Sequence, residues 1–451
     1  MLYEYHYVCT HAMQNINGKA TNKVCLLVKL STLYCYYTNG FLMQLLPNMI
    51  AINVVGDVML GRLVNEGMYL PDSTSHIESF VHILKGRRAS WPGEGVWGDT
   101  IELFRRSNLN VVNLETSITK NKVEAWKDYG KPFNFRMDPA HISVLQEAQI
   151  DYTSLANNHI LDYGYEGMKE TCEVLTEQGI KWAGVGEDYE DARKPCYMQI
   201  RGVQEPVSVA AFSFSDHGLN SKRENQAHSG QTDFWAADLS QPGLNYLNAR
   251  SYDTQNDPLE LRELIIEPKL TNQAQLTFAS LHWGPNYSWK PSQSIQELAH
   301  FLVKECGIDF IHGHSSHHFQ GLEFIQDQQD PQRIAPVIYG CGDFVNDYAV
   351  DGDYRNDLGA LYQFHFKKIG ESCRWEFVGM NIYPTCIDGL AVHRLFSDTP
   401  RSEMYDWVVS RMLELSSSYD LPLNDQGNPM LEINEDRDNS CIVVRRIETQ
   451  G

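Results

Sequence analysis

The chain has 451 residues, 42% of them hydrophobic, and 58 Asp and Glu against 37 Lys and Arg give a formal charge of −21 at neutral pH. That length supports a sizeable core, and that charge disfavours a general surface for nucleic acid or anionic membrane. A polyanionic substrate would need a local positive focus, which bound cations can supply.

In chain order, the first 48 residues stand apart. Val24 to Leu46 is fairly apolar but carries Lys29, Ser31, Asn39, Gly40 and Gln44, a poor pattern for a signal peptide or a membrane helix. Residues 1–48 read as an extension outside the domain, from a start placed too far upstream, because Met49-Ile50-Ala51 opens directly into a strand. The alternative is an uncleaved anchor that associates the protein with a membrane. The spacing then predicts strand 51–55, a helix near Thr100 to Arg106, strand 110–114, a helix near Pro139 to Ala148, strand 150–155, a helix near Tyr165 to Gln178, and Ile180 to Ala183. A second series follows: Val207 to Phe214, Gln275 to Leu281, a helix from Ser292 to Cys306, Ile308 to Ile311, and Val337 to Tyr339. This alternation predicts an α/β layered fold for one domain over 50–390.

Residues 216–262 are polar and read as an insertion. Residues 391–451 read as a C-terminal helix and tail, with Met404, Trp407, Val408 and Met412 as a packing stripe and Ser402 as its N-cap. The stretch from Asn424 to the end carries no catalytic pattern. Ten cysteines without a CxxC pair read as reduced thiols of a cytoplasmic chain, with Cys341 as a small buried filler.

The chemistry lies at strand ends. Asp57 follows the first strand between Gly56 and the Gly61-Arg62 turn, and is a plausible ligand for a hard metal. Glu115 follows the second, with two oxygens that can bridge two cations. Asn158-His159 follows the third and sets an amide oxygen ligand beside an imidazole that can protonate a leaving oxygen. His282 ends an apolar strand before Gly284-Pro285, and His312, His314, His317 and His318 crowd seven residues. Each alone also suits a turn, a cap or a surface charge. Together they form an oxygen and nitrogen shell suited to Mn, Fe or Zn, one or two ions, and to hydrolysis by metal-activated water. Arg62, Lys131 and Arg136 are cations able to hold a small anionic or polymeric substrate.

The ordered motifs Gly56-Asp57-Val58-Met59-Leu60-Gly61-Arg62, Asn113-Leu114-Glu115, Leu155-Ala156-Asn157-Asn158-His159 with Asp162-Tyr163-Gly164, and His282-Trp283-Gly284 resemble the CapA-type capsule synthesis proteins. That family is linked to poly-γ-glutamate and falls within the calcineurin-like metallophosphoesterase superfamily. The resemblance covers about Ile50 to Pro384. It implies a four-layer α/β/β/α sandwich of two packed mixed sheets, and a metal centre of Asp57, Glu115, Asn158, His282 and late histidines, with His159 as the catalytic imidazole. Ser315 stands where the family's late motif has a histidine, which leaves His314 and His317 as ligands. Met59 replaces a superfamily histidine, so one metal would be weakly held or absent. Asp343 replaces an amide in the closing motif and is assigned to the substrate or to the charge balance. Two functions fit the resemblance: a metal-dependent hydrolase, or a non-catalytic component of capsule assembly that works with partner proteins.

Overall fold

Alternating apolar side chains divide between two faces in each long strand, and this alternation builds two sheets that pack on one another. The computed structural model describes residues 48–68, 95–125, 131–217, 235–249, 258–271, 273–327, 330–370 and 374–447. The expected extension lies almost wholly outside the described residues, as does most of the polar segment 216–262.

The first sheet runs Leu431–Asp436, Cys441–Arg446, Trp375–Asp388, Leu358–Lys368, Met49–Val58, Leu109–Leu114, Tyr152–Ser154, Lys181–Ala183. Asp343–Val345 also pairs with Met49–Val58, and Ala391–Arg394 with Trp375–Asp388. The pairings from Met49–Val58 through Lys181–Ala183 are parallel, and those from Leu358–Lys368 to the far edge are antiparallel. The second sheet runs Leu322–Gln326, Ile334–Ile338, Phe310–His314, Leu276–His282, Ser208–Ser215, Cys196–Gln199, with a parallel centre and antiparallel edges.

Ile50, Ile52 and Val54 of the first sheet share one buried cluster with Val209, Ala211, Leu276, Phe278 and Phe310 of the second. The opposite face of the first sheet, through Val55, Val112 and Leu114, packs on Trp97, Phe104, Leu145, Met168 and Leu175 of the helical segments. The opposite face of the second, through Phe212, Ala279 and Leu281, packs on Leu261 and Ile265 of helix Pro258–Leu270 and on Leu298 and Leu302 of helix Gln293–Lys304. The order is therefore helix, sheet, sheet, helix, as the resemblance implied.

The predicted strands and helices are present with small shifts of boundary. Three differences matter. The two longest strands, Leu358–Lys368 and Trp375–Asp388, are absent from the sequence reading. Residues 391–446, read as helix and tail, add three strands to the first sheet around helix Ser402–Ser416. Ser402 is the first residue of that helix rather than its cap, and Arg401 precedes it without a side-chain capping bond. The stripe Met404, Trp407, Val408 and Met412 does pack into the core between the sheets.

Candidate metal centre

The inner face of the second sheet changes character along its strands. Leu276 and Phe278 are apolar, but Ser280 and His282 continue the same face, and pairing aligns Ser213 and His312 with Ser280, and Ser215 and His314 with His282. A period of two makes this inevitable once the apolar end is buried. The carboxyl ends of parallel strands thus deliver polar side chains into the space between the sheets.

The first sheet brings its carboxylates to the same end. Its first strand shifts register between Val54 and Asp57, and the Asp57 backbone N–H donates to Gly342 O at 3.1 Å. A Cβ on Gly56 would lie 1.8 Å from that oxygen, so only glycine permits the approach that sets Asp57 beside Asp343. Ser315, in the left-handed region with φ 93°, donates its backbone N–H to Asp57. A non-glycine residue held there marks local strain of the kind that collects at functional sites.

Two ligand groups result, and they share Asp57. Asp57, His282 and His314 form one; Asp57, Glu115, His317 and Asp343 form the other, with ligand atoms in each group within 4.8 Å of one another. His282 Nδ1 faces His314 Nδ1 at 2.9 Å, and His282 Nε2 faces Asn158 Oδ1 at 3.1 Å. Asp57 Oδ1 accepts from Asn113 Nδ2 at 2.7 Å; Asp343 pairs with His317 at 3.0 Å and accepts from Asn346 Nδ2 at 2.7 Å. Asp57 Oδ2 and Glu115 Oε2 are buried with no hydrogen-bond partner. Buried carboxylate oxygens without donors are costly, and a divalent cation compensates them, so this hard oxygen and nitrogen set fits such an ion.

Charge follows from burial. Burial first, then Asp343, pushes the Asp57 carboxyl up to about 7. Burial, then Asp57 and Asp343, pushes Glu115 well above its usual range. Burial and neighbouring imidazoles hold His282 and His314 well below theirs, so both are neutral and ready to ligate. Burial also pulls on His317, but the Asp343 carboxylate beside it wins and raises it to about 8.

His159 stands at the rim of these groups, its Nε2 3.8 Å from Glu115 Oε1. Its Nδ1 meets Asp162 Oδ2 at 2.8 Å, which assigns the hydrogen to Nδ1 and leaves Nε2 as the free acceptor. The ring stacks on Phe135 with centroids 3.9 Å apart. Burial, then the Lys131 ammonium, lowers its pKa to about 4, so at neutral pH it accepts a proton rather than delivering one.

Other expected residues fall differently. Lys131 is engaged by Asp162 and by the Asn158 carbonyl oxygen, with its side chain 9% exposed, so it braces the His159 loop instead of standing open to substrate. Arg136 donates to Thr119 O at 3.0 Å. Arg62 pairs with Asp347 at 3.3 Å and keeps a side chain 37% exposed, the most accessible of the three cations. Asp343, expected at the substrate or in the charge balance, lies within the second group, where it pairs with His317 and accepts from Asn346. Asp57, not Glu115, is the carboxylate common to both groups. The Met59 sulfur accepts from the Gly61 N–H at 3.1 Å, and the second group forms without it.

Asp216 and His217 were missed. They directly follow Ser208–Ser215, the same strand-end position as the other motifs, inside the segment read as insertion. Asp216 pairs with His217 at 2.8 Å, and the His217 ring stands edge-on to His282 with centroids 5.0 Å apart. His312 points its Nε2 at Val55 O, 2.8 Å away, and joins the sheets rather than the centre.

The chain is 26% identical to the "Probable polyglutamine synthesis accessory protein" of Mycobacterium tuberculosis, over 86% of this chain and 96% of that protein. It is 25% identical to the "PGA biosynthesis protein CapA" of Bacillus subtilis, over 80% of each. Among solved structures, a calcineurin-like phosphoesterase from Bacillus subtilis aligns at 12% identity with a TM-score of 0.40, over 82% of this chain and 99% of that one. Residues 51–348 match the family described as "Bacterial capsule synthesis protein PGA_cap", and the chain belongs to that family.

Proposed function

We propose that this protein is a metal-dependent hydrolase of capsule metabolism, cleaving a phosphoester or a linkage in a polymer such as poly-γ-glutamate. The observation that carries the reading is the pair of ligand groups sharing Asp57, with orphaned carboxylate oxygens inside and His159 beside them. Divalent cations held by Asp57, Glu115, Asn158, His282, His314, His317 and Asp343 would supply Lewis-acid polarisation and a nucleophile at neutral pH. The chain's own residues do the rest. Asp162 fixes the His159 tautomer and aims Nε2 at the reacting region. An anionic group arriving there offsets Lys131 and raises the affinity of Nε2 for a proton, which it can then hold at a leaving oxygen. Arg62 is the exposed cation available to a distal anionic group.

A second reading is favoured by one observation: the mycobacterial relative is named an accessory protein of synthesis. In that reading the fold binds metal or polymer while partner proteins do the chemistry. No helix among the described residues is long and apolar enough to cross a membrane.

The test is metal content and Mn-dependent hydrolysis of bis(p-nitrophenyl) phosphate and of poly-γ-glutamate by the full chain, beside Asn158→Ala and His159→Ala. Bound metal with activity lost in both variants supports the hydrolase. Bound metal with neither substrate cleaved overturns it in favour of the assembly role.

A further inference from the structure

The Tyr348 hydroxyl is buried and has no hydrogen-bond partner, although its ring is only half-buried. An unpaired phenol hydroxyl costs free energy that a phenylalanine would avoid, and the Tyr152, Tyr362 and Tyr405 hydroxyls share that state, so it is place that distinguishes Tyr348. The ring meets His317 edge-on with centroids 5.3 Å apart, and lies 5.7 Å from Phe135, the ring stacked on His159. Its position is tied to the ligands through one residue. Asn346 donates to Asp343 through Nδ2 and accepts the Tyr348 N–H on Oδ1 at 3.1 Å. The phenol also feels the centre: after burial, the carboxylates Glu115, Asp343 and Asp57 raise its pKa. Asn346 and Tyr348 in turn line a cavity of about 370 Å³ that extends to Asn356, Ile387 and Leu390. Tyr348 thus belongs both to a cavity wall and to the surroundings of the ligand groups.

We propose that the Tyr348 hydroxyl is a substrate-contacting donor, giving its hydrogen bond to an anionic oxygen of a phosphoryl group held at the centre. The proposal rests on the hydrolase reading for its substrate. A neutral donor suits this position, because a preorganised O–H can stabilise developing negative charge without adding a further cation beside His317. The contrast is Tyr362, whose hydroxyl is likewise unpaired but whose ring lies in the apolar core between the sheets.

The experiment compares the metal-loaded full chain with Tyr348→Phe and Tyr362→Phe. It reads metal content, thermal stability, the affinity for inorganic phosphate, and kcat and KM on bis(p-nitrophenyl) phosphate. Tyr348→Phe is expected to keep its metal and to melt no lower than the parent, while phosphate affinity and kcat/KM fall roughly 10- to 100-fold. Tyr362→Phe should leave both unchanged. Phosphate affinity equal to the parent's in Tyr348→Phe overturns the proposal, as does a parent that binds no phosphate. Loss of metal in Tyr348→Phe also overturns it, since the hydroxyl would then be orienting Glu115 or Asp343. A parent that binds phosphate but cleaves nothing sinks the hydrolase reading, and the affinities still decide the role of Tyr348.

Discussion

The two ligand groups are built from opposite materials. The Asp57, His282, His314 group is rich in imidazoles that burial keeps neutral, whereas the Asp57, Glu115, His317, Asp343 group is rich in carboxylates whose hold on a proton burial strengthens. In the first, only Asp57 has a proton to surrender; the second adds Glu115, so its cation affinity depends more steeply on pH. The two candidate sites therefore differ in readiness, and Asp57 is the joint between them.

Breaking the joint should have the largest effect. Asp57→Asn is expected to lose metal from both groups and to reduce activity by at least about 10³-fold, measured by metal analysis beside turnover. Retention of one full equivalent of metal would show that the groups are independent. Next comes His159, which belongs to neither group. His159→Ala should keep its metal and lose roughly 10²- to 10⁴-fold in kcat, separating proton handling from metal holding. A parallel loss of metal would place His159 among the ligands.

These groups were legible to unequal degrees. Asp57, Glu115, Asn158 and His282 stand out because each closes or follows an apolar run, and the parallel sheets carry all four strand ends to one edge. The sharing of Asp57 was not legible, since it depends on the approach of Gly56 to Gly342, nearly three hundred residues apart in sequence. Asp216 and His217 were hidden by the polar segment that follows them. Strand Trp375–Asp388 was hidden because it is buried on two faces over much of its length and Gly379 and Pro384 read as breaks, whereas the alternation from Tyr362 to Lys367 in Leu358–Lys368 was legible. Edge strand Leu431–Asp436 is largely polar and reads as tail.

The carboxylate-rich side can be weakened through its support alone. Asn346→Ala removes the amide that holds Asp343 Oδ2 without touching a ligand atom. Metal affinity should fall about 10- to 100-fold, as for the loss of other outer partners, read by titrating the apoprotein. The imidazole-rich side has no contact with this amide and should keep its ion. Equal loss from both sides would mean that Asp343 also sets the position of Asp57.

The smallest effect, and the sharpest on the comparison, is in the stability of the metal-free protein. Asp57 has a folded pKa of about 7 against an ordinary 3.8, so its contribution to stability is fully present below about pH 4 and is lost as pH rises through 7. Asp57→Asn removes that loss. Without metal, the variant's melting temperature should gain on the parent's as pH rises from 4 to 8, by roughly a few degrees. His282 titrates the other way: its folded pKa is depressed, so its contribution is present above about pH 6.5 and is lost as pH falls. A neutral His282→Asn variant should therefore gain on the parent only below that pH. With metal restored, the order at pH 8 should reverse, because the parent alone regains the binding free energy of its cations. Thermal scans across pH with and without chelator check all three signs. Curves for the two variants that moved together would show that the groups share one electrostatic environment instead of two.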